Sequence, residues 1–438
     1  MSEHSWCRCC RALWDSNLFQ RVVSGSILGT IIVLYLLYGP PAAPFYLCSF
    51  VVAICNYEYA WLAERIVHRW TSCLHTTEFC IDSTPILSTN FDESKCAVSP
   101  WARGYPKTFA FILAALIAGG ITAAFAWAKH FVHWYSLPTC ALREFTLHLG
   151  MAAWLTLYCA FLTPTKTSAA SLIVQQVVYS FSVLSKILCA VGQKHCFVPL
   201  SMSYVRVEVI VILIALHIPF TLPSPEKCVR CILHTFLALV GYGYVVELMF
   251  IMSDLLLQVD DGPRIALSFL AVVWGADTGA YFTGMILTWL NYKRFHKLAP
   301  HISYKKDIEG TVGGIALGLW GVILVDRLML EDNIQSSTLQ GTEYWFVFGW
   351  KLGFAVVGAA ISRYGDLFAS LLKRLANVKD SGKLIPGHGG LLDRVDALLF
   401  VSATFVFYHR INYPGGYVLS MEGFLSQQRA LIDGAPKS

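Results

Sequence analysis

What most constrains this chain is a succession of apolar blocks, each about as long as a bilayer is thick. They run Val22–Tyr38, Ala42–Ala63, Thr108–Ala128, Phe145–Leu162, Ser168–Val191, Val205–Leu222, Cys231–Met252, Ile265–Trp289, Thr311–Arg327, Trp345–Ile361 and Leu391–Phe407. A helix of roughly 20 apolar residues crosses the hydrocarbon core. Backbone groups in lipid must be bonded internally, and the strand alternation of a β-barrel is missing, so a helical bundle is predicted. The expected fold is all-α, a polytopic transmembrane bundle of about 9–11 spans. Ser168–Val191 is the most interrupted block, by Gln175, Gln176, Ser180, Ser182 and Lys186, and is expected to be interfacial or inward-facing.

The blocks suggest an organisation: an N-terminal segment at 1–21, expected to be cytoplasmic, an N-terminal transmembrane region at 22–260 with a polar loop at 64–106, a C-terminal transmembrane region at 261–410, and a tail at 411–438. The first twenty residues resemble neither a secretory signal nor an Arg-rich transit peptide, so the first span is expected to stay as an anchor. Fourteen cysteines in a chain of this class do not form a disulfide framework. Cys7, Cys9 and Cys10, and the pair Cys228 and Cys231, lack a second matching set of zinc ligands.

Only 14% of the residues are charged, yet Ser370–Asp396 holds Lys373, Arg374, Lys379 and Lys383 beside Asp380, Asp393, Arg394 and Asp396, with His388, Gly389 and Gly390 between. The loop 291–310 is also basic, with Lys293, Arg294, Lys297, Lys305 and Lys306, whereas 331–343 is acidic. The positive-inside rule puts both basic stretches in the cytoplasm. Lys293 and Arg294 read as snorkelling anchors, and Gly313 and Gly314 as helix-packing positions.

Asp366, Ser370 and Lys373 have the spacing of one helix face, with Arg374 beside them. Asp393 and Asp396 share another face, directly after Gly389 and Gly390, where backbone N–H groups can approach an anion. Carboxylates in that number match the oxygen chemistry of Mg²⁺, and the cations match phosphate. Asp277 lies inside the block Ile265–Trp289, where a carboxylate is costly unless it lines a polar cavity. His388 caps the bend or meets substrate.

These residues resemble the signature of the phosphatidate cytidylyltransferases, or CDP-diacylglycerol synthases. The likeness rests on Ser370, Lys373, Arg374, Lys379, Asp380, Gly382, Pro386, His388, Gly389, Gly390, Asp393, Arg394 and Asp396, with Gly365 and Asp366 upstream. Asp277-Thr278-Gly279-Ala280-Tyr281 and the run from Lys297 to Gly310 extend it, so that it covers roughly 265–407. Asp307-Ile308 stands where the family commonly has Thr-Trp.

The resemblance implies a metal-dependent nucleotidyltransferase of phospholipid biosynthesis, converting CTP and phosphatidate to CDP-diacylglycerol and pyrophosphate. It implies Mg²⁺, with or without a second ion such as K⁺. The catalytic set would be Asp366, Ser370, Lys373, Arg374, Lys379, Asp393 and Asp396, with Asp366, Asp393 and Asp396 as metal ligands. Asp277, Lys305, Lys306, His388, Gly389, Gly390 and Arg394 would bind substrate. The implied setting is a multi-pass homodimer in the endoplasmic reticulum membrane with its site facing the cytoplasm; no nucleic-acid partner is implied. Two other readings stay open: a related CTP-using enzyme acting on an isoprenoid or archaeol-type lipid, and an ion-coupled transporter. The transporter requires inverted repeats, whereas here the polar residues crowd one end of the C-terminal half.

Overall fold

A computed structural model describes residues 17–39, 43–79, 95–128, 139–191, 202–217, 225–258, 262–329, 342–382, 384 and 389–412. The helices are α1 (Asn17–Tyr38), α2 (Ala43–Phe79), α3 (Pro106–Ala128), α4 (Thr139–Phe161), α5 (Lys166–Val191), α6 (Met202–His217), α7 (Pro225–Gly241) and α8 (Leu248–Gln258), a π-helical turn at Tyr242–Glu247 joining the last two. Then follow α9 (Gly262–Trp289), strands β1 (Lys297–Ala299) and β2 (Ser303–Asp307), α10 (Ile308–Met329), α11 (Thr342–Leu375) and α12 (Leu392–Asn412).

Six helices among the described residues are long and apolar enough to cross a membrane: Ala43–Ser72, Pro106–Ala128, Cys228–Ser253, Ala266–Trp289, Ile308–Leu328 and Phe348–Leu375. The chain is an integral membrane protein of the helical type. Two further apolar stretches, Gly25–Tyr38 and Phe145–Phe161, lie within α1 and α4, helices of 22 and 23 residues, against the 9–11 spans expected. Helix α2 does not give way to a loop at Glu64 but continues to Phe79. After Pro44 in its first turn it contains no Pro or Gly to stop it.

Two compact units divide the described structure. One comprises Phe45–Asp254 with two short later pieces. Its core includes Cys159, Ala160 and Leu172, with Tyr57 and Ile173 packed against them. Of the polar interruptions of the fifth block, Gln175, Gln176 and Ser182 are buried, and Gln176 Nε2 donates to Ser49 Oγ at 2.8 Å. A buried polar group satisfied in this way costs far less than one facing lipid.

The other unit comprises Met1–Pro44, Leu255–Arg374 and Val378–Gly416. Helix α1 therefore clusters with the C-terminal part of the chain, Gly29 lying against the Trp274 ring of α9. Helices α9 and α10 meet almost backbone to backbone: a Cβ on Gly279 would fall 2.5 Å from the Gly313 carbonyl oxygen. Small residues allow such close approach and the dispersion contact it brings. The basic loop between these helices is not irregular. It forms a two-stranded antiparallel hairpin pairing Lys297 with Asp307 and Ala299 with Ser303, the one departure from an all-α fold among the described residues.

Candidate active site

The site is assembled on the hairpin and the ends of three helices. Asp307 closes β2 and caps α10, its Oδ1 accepting the Gly310 N–H at 2.8 Å. Its Oδ2 lies 3.4 Å from Lys297 Nζ. The preceding strand residue, Lys306, reaches across to α11, with its Nζ 3.0 Å from Asp366 Oδ2. Burial pulls the Lys306 ammonium below the ordinary lysine value of 10.5, while Asp366 and Asp396 draw it back up and Arg363 opposes them.

Arg363, one turn before Asp366, joins two helices. Its Nη1 is 3.4 Å from Asp277 Oδ1 on α9 and 3.7 Å from Asp366 Oδ2, and its Nη2 donates to the Ala276 carbonyl at 2.8 Å. One planar fork thus holds two carboxylates and a backbone oxygen from different helices. Arg363 was not among the residues singled out by sequence. A cation three positions before Asp366, just past an apolar block, was the available signal.

A second pair closes the glycine bend. Helix α11 ends where Asn377 takes a left-handed φ of 55° and the Val378 N–H donates back to Lys373 O at 2.9 Å. Lys373 Nζ lies 2.7 Å from Asp393 Oδ1, at the start of α12. Asp393 Oδ2 accepts the N–H groups of Ser381 at 2.8 Å and Gly390 at 3.1 Å. Gly389 sits at φ +84°, and a Cβ there would fall 3.0 Å from Asp393 Oδ2, so glycine answers both the backbone and the space. Asp396 is buried one turn on, its Oδ1 accepting the Ala397 N–H at 2.8 Å.

The remaining residues expected from sequence are distributed as follows. Ser370 is half-buried, one turn beyond Asp366 on α11. Arg374 is exposed, its Nε donating to Ile302 O at 3.5 Å. Lys379 and Arg394 are exposed, in the turn after α11 and on the first turn of α12. Lys305 lies on β2, but its side chain, like the whole of His388, falls outside the described residues.

The three aspartates expected as metal ligands do not gather into one cluster. Asp393 has both oxygens committed to Lys373 and the bend, whereas Asp366 is flanked by Asp277 through Arg363. No group of three His, Cys, Asp or Glu side chains poised for a metal occurs among the described residues. The donor chemistry nevertheless fits Mg²⁺, which is commonly held by one or two carboxylates plus substrate phosphates.

Beside Lys306 and Arg363 opens a cavity of ≈ 770 Å³. It is lined by apolar Ala280, Tyr281, Met285 and Trp289 of α9 and Phe295, and by charged Lys297, Lys306, Asp307 and Arg363. Such a groove suits an amphipathic anion.

The fold and site define an integral membrane protein with a cation–carboxylate centre at the ends of its helices. The sequence model of the cytidylyltransferase family matches residues 109–412, more than half of the chain, and the chain belongs to that family. The match begins well before residue 265, where the legible motifs start. Similar proteins include ones named phosphatidate cytidylyltransferase. That of Thermotoga maritima is 40% identical over 143 residues, 33% of this chain and 48% of that protein. That of Synechocystis sp. is 41% identical over 138 residues, 32% of this chain and 40% of that protein. That of Bacillus subtilis is 41% identical over 130 residues, 30% of this chain and 41% of that protein. The chain thus spans less than half the length of these relatives.

Proposed function

We propose that this protein transfers a cytidylyl group from CTP to phosphatidate, releasing pyrophosphate and forming CDP-diacylglycerol. The observation that carries the proposal is the meeting of Lys306, Arg363, Asp366 and Asp277 beside a groove lined by both apolar and cationic side chains. A lipid with a phosphate head combines the same two characters, and the relatives' name supplies the acceptor and the transferred group.

The lipid phosphate oxygen is already anionic near neutral pH, so the attack needs no general base. It forms a bond to the α-phosphorus of CTP as the bond to the β-phosphate bridging oxygen breaks, and the pyrophosphate leaves with that electron pair. The protein's task is alignment and charge neutralisation. Lys306 and Arg363 neutralise phosphate oxygens at the groove, and Lys373 and Asp393 hold the glycine bend, Asp393 accepting the Gly390 N–H. Asp366 with Asp277 would hold Mg²⁺, which when bound supplies Lewis-acid stabilisation of phosphate charge. Asp396 adds negative potential next to Lys306, and Ser370, Arg374, Lys379 and Arg394 are further phosphate-binding candidates.

The proposed setting is the cytoplasmic face of the endoplasmic reticulum membrane, where CTP is at hand, with the protein acting as a homodimer. The test is transfer of label from α-³²P-CTP by purified protein, with phosphatidate or a polyprenyl phosphate as acceptor, with and without Mg²⁺ and K⁺. Labelled CDP-diacylglycerol from phosphatidate alone, dependent on Mg²⁺, is expected. Transfer only to the isoprenoid acceptor would assign a different lipid, and no transfer to either would overturn the activity.

A further inference from the structure

Far from the hairpin, two opposite charges are buried against each other near the ends of two long apolar helices. Asp326, near the C-terminal end of α10, is 4% exposed, and Lys351, near the start of α11, is 9% exposed. Lys351 Nζ donates to Asp326 Oδ1 at 2.9 Å. Each lies within three residues of an end of a membrane-crossing stretch, Ile308–Leu328 and Phe348–Leu375. Buried charges are costly to desolvate even when paired. Replacing a buried pair with apolar side chains is often neutral or stabilising, so stability alone does not account for one.

The two helices that this pair joins also carry the reaction centre at their other ends. Lys306 immediately precedes the Asp307 cap of α10, and Asp366 lies on α11, 3.0 Å from it. The two elements are therefore tied twice, once at each end. From Lys351 to Asp366 the helix advances about 1.5 Å per residue, and slippage by one residue at one tie moves the other by the same amount. A displacement of about 1 Å in reacting groups can cost on the order of 100-fold in rate.

We infer that Asp326 and Lys351 are positioning residues, a buried ion pair that fixes the axial register of α11 against α10 and so holds Lys306 opposite Asp366. Their effect on catalysis rests on the function proposed above; the register itself does not.

The register is read by zero-length carbodiimide coupling, which joins an amine and a carboxylate already in contact. Peptide mass spectrometry of the full chain in detergent then reports the Lys306–Asp366 link, with the hairpin's Lys297–Asp307 link as an internal control. In Asp326→Asn and in Lys351→Met the Lys306–Asp366 yield should fall at least about fivefold while the control holds. The charge-swapped double variant, Asp326→Lys with Lys351→Asp, should restore it to within about twofold, and Lys351→Arg should retain it. Unchanged Lys306–Asp366 yield in the single variants overturns the inference. Should a single variant lose both links, the swap decides: restoration supports the register role, and failure to restore ends it. Nucleotidyl transfer, where present, should follow the link, kcat falling more than KM for CTP changes. Wild-type protein that forms the link but transfers nothing would count against the proposed activity and leave the register result standing.

Discussion

Lys373 Nζ lies 2.7 Å from Asp393 Oδ1, and the same carboxylate accepts two backbone N–H groups through its other oxygen. Asp393, one of the aspartates expected as metal ligands, thereby clamps the glycine bend. Its two oxygens are divided between a helix-end lysine and the loop that follows it.

Asp393→Asn places an NH₂ among the donors it now satisfies, or leaves the Lys373 ammonium without its anion. Asp393 is 5% and Lys373 14% exposed, so the loss falls in the range of a broken buried pair, about 3 kcal/mol. Thermal unfolding in detergent should shift down accordingly, and transferase activity should fall with it. A stability unchanged within about 0.5 kcal/mol would show that the clamp is dispensable.

Lys306 has a charge state that burial lowers and its aspartate neighbours partly restore. The sign follows from the lowered folded-state value. Below that value the buried ammonium is a strain on the folded protein. As pH rises from there towards the unfolded lysine value of 10.5, the unfolded chain holds more protons and stability increases. Phosphate binding has the opposite trend, since it uses the charged form. The alkaline limb of kcat/KM for CTP should therefore lie below the ordinary lysine range. Lys306→Arg should move that limb upward, because arginine does not titrate there.

Arg363 holds Asp277 and Asp366 from one guanidinium. Arg363→Lys keeps a positive charge but not the fork, and should lower transfer at least about tenfold with a modest change in melting temperature. Arg363→Met leaves two neighbouring carboxylates without it and should destabilise by about 3 kcal/mol. Equal activity of Arg363→Lys and wild type would remove the geometric role.

Gly389→Ala forces a side chain into a left-handed conformation, at about 1–2 kcal/mol, with its Cβ 3.0 Å from Asp393 Oδ2. Activity should fall more than stability, because the bend and its N–H groups shift together. Asn at the same position tolerates the backbone angle better and should be the milder change in a paired activity and unfolding measurement.

The helical, membrane-spanning character was legible because lipid leaves the backbone so few solutions. The placement of Asp366, Ser370 and Lys373 on one helix was legible because their spacing follows the helical turn. The same local rules are silent on what tertiary structure decides. Nothing in the spacing shows that Arg363 reaches α9, or that Asp393 turns towards the bend. The hairpin was missed because its strands are three and five residues long and rich in lysine. Hydropathy alone also does not separate a helix facing lipid from one whose Gln175 and Gln176 are buried against protein.

The glycine seam between α9 and α10 has a mechanical consequence. At Gly279 and Gly313 backbone lies against backbone, with Thr283 and Leu317 packed closely beside it. These helices therefore behave as a single stiff blade. Asp277 rides on one edge of the blade and Lys306 is tethered to the other, so their separation is set by the scaffold. Product escape that widens the gap between Lys306 and Asp366 then has to swing α11 away from the blade, rather than flex a loop.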